Sequence, residues 1–217
     1  MGDFRTREDF HYQTMRCNVE LTKVIQIGLT VSDSESLGQG GVPFWRFNFH
    51  FDCSVDALPE EMAQLLRSAR VNLEYLRKNG IDGAAFAEWM FSSGLVLNDS
   101  LRWVGFNCLA DFGFLLRLVT NAPLPATEDA FVALLHLYFP HVYDTRLLVQ
   151  LSPHKAELQA DTEVLQNVRR GLLLQQVELT TLSTLILFVR ARRDMDTALG
   201  TNLLYGLTDS TRLLSHH

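Results

Sequence analysis

The chain has 217 residues, 47% of them hydrophobic and 20% charged, with a formal net charge of -6. That length and apolar content suffice for one substantial core, and the acidic balance argues against a stand-alone RNA-binding module, though not against an acidic exonuclease whose bound metal ions supply local positive charge. The apolar stretch around Leu182 to Val189 stops at Arg190, far short of the roughly 20 residues that a membrane span needs.

Taken in chain order, the polar N-terminal segment reads as lacking the apolar core of a secretion signal. Val24 to Val31 forms an apolar run, and Phe44 to Phe51 alternates, with Trp45, Phe47, Phe49 and Phe51 set against Arg46, Asn48 and His50. That period of two predicts a half-buried strand. Residues 33–43, rich in Gly, Ser and Pro, read as a flexible loop joining the two strands into a hairpin. Pro59-Glu60-Glu61 then predicts a helix start and Gly80 its stop, with the acids at the positive end of the dipole. Asp82 reads as the cap of a second helix ending at Gly94.

Trp103, Val104 and Phe106 have a strand-forming mix, whereas Phe112, Leu115, Leu116 and Val119 recur at helical spacing after Asp111. A strand therefore runs into a helix, with the junction near residues 107–110 and an aspartate opening the helix. A Pro-rich turn, a helix through Leu137, a short strand around His141 to Tyr143 and largely helical sequence to about Arg193 complete the pattern. A hairpin followed by alternating helices and strands is α/β. One domain spanning residues 1–217 is expected.

Cys17, Cys53 and Cys108 are far apart and form no C-x-x-C pair, which suits a reducing compartment. His136 and His141 lack helical i, i+4 spacing, and no H-E-x-x-H, G-x-S-x-G, P-loop or G-x-G-x-x-G occurs.

The stretch LRWVGFNCLADFGFLLRL from Leu101 to Leu118 resembles the second acidic motif of the DEDD 3'-5' exoribonucleases. In particular it resembles the W-x-x-F-x-x-x-x-D-F-G-x-L-L pattern of the Caf/Pop-type poly(A) deadenylases. RCNVELTKVIQIGLTVSD, FWRFNFHFD, NGIDGAAFAEWMFSSGLVLND, LYFPHVYDTRLL and LLYGL are similar to the same family in the same order, so the resemblance covers nearly the whole chain. It implies a ribonuclease H-like mixed sheet flanked by helices. The implied activity is hydrolysis of the terminal phosphodiester of poly(A), with two Mg or Mn ions activating water and stabilising the leaving oxygen. The implied setting is the Ccr-Not mRNA-decay assembly in cytoplasm and nucleus, with the Not scaffold as partner and neither membrane nor DNA.

Four carboxylates hold the metals in that family. Two form a D-x-E pair on the first strand, the third opens the helix after a later strand, and the fourth lies on a C-terminal helix. Only the third is matched here, by Asp111. The D-x-E strand lies upstream of the stretch matching Gly2 to Arg5, so the first strand is expected to be absent. The C-terminal motif aligns with QQVELTTLST, placing Gln175 at the family's histidine and Thr180 at its last aspartate. Neither replacement does the original job, because threonine carries no charge for a metal and glutamine exchanges no proton. Asn107 stands where the second motif usually has a histidine, while Trp103, Phe106 and Phe112 are retained as packing residues.

Asp161-Thr162-Glu163 spells the missing motif, but its surroundings are helical. Residues two apart on a helix point about 200 degrees from each other by the 3.6-residue repeat, so the pair reads as a solvated helix face. Asp111 has two readings, a metal ligand and a helix cap that needs no metal; the cap is the one taken. Asp144 reads as a loop or helix cap. The leading functional expectation is a deadenylase relative with a degraded catalytic centre, binding within an mRNA-decay assembly and holding no metal. The alternatives are an active poly(A) exoribonuclease whose N-terminal strand lies outside this sequence, and a non-functional fragment.

Overall fold

The computed structural model describes residues 6–33, 42–171, 177–192 and 201–207, and these form a mixed α/β fold. Helix α1, Arg7–Leu21, starts where the Thr6 side chain accepts the N–H of Asp9 at 3.1 Å. This is a Ser/Thr cap that relieves one of the unpaired first-turn donors. It buries Tyr12, Met15 and Val19, spaced three and four apart on one face.

Strands β1, Gln26–Thr30, and β2, Phe44–Asn48, pair antiparallel, with Gln26 opposite Asn48 and Thr30 opposite Phe44. The hairpin is as expected, but β2 is shorter than the alternating run. Trp45 is 42% exposed, whereas Phe49 and Phe51 beyond the strand are buried. The 34–41 part of the expected loop lies outside the described residues.

The single helix expected from Pro59 to Gly80 is two. α2 spans Glu60–Ser68 and α3 spans Leu73–Asn79. Between them Arg70 adopts a left-handed φ of 54°, which ends α2, and the Asn72 side chain opens α3 by accepting the N–H of Tyr75. Gly80 follows α3 where a Cβ would lie 2.4 Å from the backbone nitrogen of His50, so the glycine is required by a close chain crossing. Asp82 caps α4, Gly83–Ser92, accepting from the N–H groups of Ala84 and Ala85. Gly94 follows with a φ of 72°.

Strand β3, Trp103–Gly105, leads into α5, Leu109–Thr120. α6, Glu128–Tyr138, is capped by Thr127 and leads to β4, Val142–Asp144. α7 (Thr145–Leu151), α8 (Lys155–Gly171) and α9 (Val177–Ala191) follow. β3 and β4 pair in parallel.

The strands form two separate pairs, β1 with β2 and β3 with β4. The outer edge of β2 is extended by a bridge from Phe49 to Ile81, and that of β4 by a bridge from Tyr143 to Leu203. Among the described residues no ladder joins β1 to β3, the two inner strands. Helix α9 packs on both of them and links to β1 through a 2.9 Å hydroxyl contact between Thr181 and Thr30.

The larger core cluster joins α1, α4, α5 and α6 and includes Tyr12, Phe86, Phe112, Leu116 and Phe131. α1 meets α5 closely because Gly113 has no side chain; a Cβ there would sit 2.6 Å from the Met15 sulfur. A second cluster, with Phe106, Tyr143, Leu148, Leu158 and Leu187, lies under α7, α8 and α9.

Candidate functional site

β3 ends at Gly105, and the chain turns through Phe106, Asn107 and Cys108 before α5 begins. Asn107 has a left-handed φ of 51°, a conformation that Asn tolerates better than most residues. This turn aims the N–H groups of Asn107 and Cys108 at a single acceptor, the carboxylate of Asp144 at the end of the neighbouring strand. Oδ1 accepts from Asn107 at 2.8 Å and Oδ2 from Cys108 at 3.1 Å.

Asp144 also caps α7, accepting the N–H of Arg146 at 3.0 Å, and takes a fourth N–H from Tyr205 at 3.2 Å. It is wholly inaccessible to solvent. Burial pushes its carboxyl above the usual carboxylate range, while the four N–H donors pull the other way. The sequence reading of Asp144 as a cap is right for α7. What it missed is the reach across 36 or more residues to three other N–H groups, which no local spacing signals.

Asp111 is not the cap of α5. The helix extends back to Leu109, and its cap position is Cys108, whose own side chain makes no capping hydrogen bond. Asp111 is instead the third helical residue, exposed in the first turn. There its charge faces the positive end of the dipole. Just before the helix, Asp144 accepts the N–H groups of Asn107 and Cys108 from the neighbouring strand.

The framework residues divide between the two cores. Trp103 packs edge-on against Phe112 and Phe139, with ring centroids 6.3 and 5.0 Å apart. Phe106, just past the end of β3, belongs with Tyr143 and Leu187. Thr180 is in the first turn of α9, but its side chain lies outside the described residues, as does Gln175. Asp161 and Glu163 lie on α8 as expected, Asp161 paired with Arg190 and Glu163 accepting from Gln159.

A pair of divalent ions needs several convergent carboxylates. Among the described residues no three of His, Cys, Asp and Glu come together to hold one. Asp144, whose backbone lies one strand away, already spends both oxygens on backbone N–H groups. The described residues therefore do not by themselves fit a two-metal centre.

Residues 90–188 match the model of the CAF1 family ribonucleases. The chain is 34% identical over its whole length to the poly(A) ribonuclease pop2 of Schizosaccharomyces pombe, of which it spans 66%, just under two thirds. The structure of S. pombe Pop2p with Mg2+ and Mn2+ bound is 33% identical with a TM-score of 0.80; the match covers 95% of this chain and 84% of that one. The structure of the yeast NOT1 MIF4G domain co-crystallized with CAF1 gives a TM-score of 0.72 at 28% identity, covering 94% of this chain and 83% of that one. With a solved structure 33% identical and matched over 84% of its chain, alongside the family model and the pop2 relative, the chain belongs to the CAF1 family of ribonucleases.

Proposed function

We propose that this protein is a deadenylase-type subunit of the Ccr-Not mRNA-deadenylation complex whose own nuclease centre is degraded. In that reading it acts by binding, in cytoplasm and nucleus. The observation that carries this is the pairing of one exposed carboxylate, Asp111, with a neighbouring carboxylate, Asp144, that is buried and saturated by N–H donors. The sequence resemblance that places Thr180 at the family's last aspartate and Gln175 at its histidine points the same way. The Not scaffold is the partner favoured, because a CAF1 chain of similar fold crystallises with the NOT1 MIF4G domain.

An active Mg-dependent poly(A) exoribonuclease is the second reading, favoured by the relatives' activity and by retained Asp111. The two part in one experiment. The purified chain is incubated with end-labelled poly(A) RNA in magnesium or manganese, and captured in parallel on the MIF4G domain of the scaffold. Scaffold capture without tail shortening is the expected result. Stepwise removal of adenosines, abolished in Asp111→Ala, would establish the nuclease instead. A folded chain that the scaffold fails to retain would remove the complex-subunit reading.

A further inference from the structure

We infer that Asp144 is a positioning residue whose buried carboxylate fixes the turn presenting Asp111 and ties that turn to residues 201–207, so that the two segments open together. The inference draws on the proposed function only for the interest of Asp111. Its test reads backbone exchange, so it stands or falls apart from any nuclease activity.

Each oxygen of Asp144 serves two segments. Oδ1 takes the N–H of Asn107 in the turn and of Arg146 in α7, and Oδ2 takes Cys108 in the turn and Tyr205 in the 201–207 segment. The left-handed Asn107 makes two successive N–H groups converge, a concave anion-binding arrangement of backbone, and the protein's own carboxylate fills it. No water reaches the group. Loss of the carboxylate would leave donors from all three segments unsatisfied at once.

The 201–207 segment is also bonded to β4 and α7, and Leu204 and Leu207 join the large core with Leu135 of α6. Asn202 donates its N–H to the carbonyl of Val142 at 2.7 Å and accepts the N–H of Val142 at 2.9 Å through its side chain. The Thr201 hydroxyl donates to the Tyr143 oxygen at 2.9 Å, and the Arg146 guanidinium lies 3.8 Å from the centre of the Tyr205 ring. Towards α5 the polar link runs through Asp144, beside apolar packing of Leu204 and Leu109 in one cluster. That packing has no directional demand, whereas the carboxylate sets both position and orientation.

Amide-resolved hydrogen exchange on the full chain tests this with three variants. Asp144→Asn keeps the shape but one oxygen only. Asn202→Gly removes a side-chain acceptor at a position whose φ of 62° glycine adopts freely. Leu66→Ala, in a wholly buried site on α2, is the control for general destabilisation.

In Asp144→Asn the amides of residues 107–111 and of 203–207 should exchange at least about tenfold faster, the scale expected when buried N–H groups lose a charged acceptor. Those of α1 and α4 should be unchanged. Asn202→Gly should loosen 201–207 and, with it, Asn107 and Cys108, which it does not touch. Faster exchange confined to 201–207 in that variant overturns the coupling, and it decides alone if Asp144→Asn does not fold. The inference also fails if Leu66→Ala reproduces the same paired pattern.

Discussion

Replacing Asp111 separates a helix-end charge from a metal ligand, because the two roles place very different free energies on one side chain. As an exposed third-position residue it gives about 0.3–1 kcal/mol through the dipole, and Ala recovers up to about 0.7 kcal/mol in helix propensity. Asp111→Ala should therefore change stability by no more than about 0.5 kcal/mol. A true cap would cost about 0.5–2 kcal/mol. A bound ion at a hundredfold excess over its Kd would instead add about 2.7 kcal/mol. For a chain of this size that corresponds to a rise in Tm of about 5–11 °C. Thermal melts of wild type, Asp111→Ala and Asp111→Asn, each with and without millimolar manganese, should give nearly superimposable curves. A manganese-dependent rise of several degrees in the wild type, lost in both variants, would refute the reasoning and restore a metal role to Asp111.

Gly80→Ala should destabilise by about 1–3 kcal/mol or more, measured by urea unfolding, because its Cβ would meet the backbone of His50 rather than a side chain free to move. Leu116→Ala, at a site with no exposed surface, should cost about 2–5 kcal/mol; a loss below 1 kcal/mol would mean that the α5 core face is not where it is described. Glu20 accepts from Arg117 and from the N–H of Leu124. Partial burial opposes its ionisation, yet these donors outweigh it and hold the carboxyl below its ordinary 4.5. Its stabilisation is complete above that value and is lost as pH falls through the lowered folded value. The stability gap between wild type and Glu20→Gln should thus be largest near neutrality and shrink as the pH falls below 4.5; a gap that widens on acidification would reverse the assignment.

Much of the helical framework was legible from local chemistry. Asp82 caps the helix it precedes, and the aromatic alternation around Phe47 and Phe49 marks the hairpin. The break at Arg70 was not legible. An arginine in a left-handed conformation carries no compositional mark, so Pro59 and Gly80 looked like the two ends of one helix. The start of α1 was missed although Thr6 and Asp9 stand at capping distance in sequence. At the candidate site, Asp111 precedes the strongest apolar repeat and so seemed to open α5. The residue that fixes that opening is Asp144, on another strand, and its partners in 107–108 and 205 are brought to it only by tertiary structure.

The separation of the strands into two pairs gives the molecule a seam. Among the described residues, apart from its bridge to Ile81, the β1–β2 hairpin is held through side chains, Phe47 and Phe49 against Phe86, Phe47 against Trp89, and Thr30 against Thr181. A lone two-stranded hairpin is marginal in water, so its integrity depends on α4 and α9 rather than on a continuous backbone ladder. Under mechanical load such a contact yields by sliding, one side chain after another. A ladder joining β1 to β3 would break as a unit, and among the described residues that shear-resistant element does not exist across the middle of the fold.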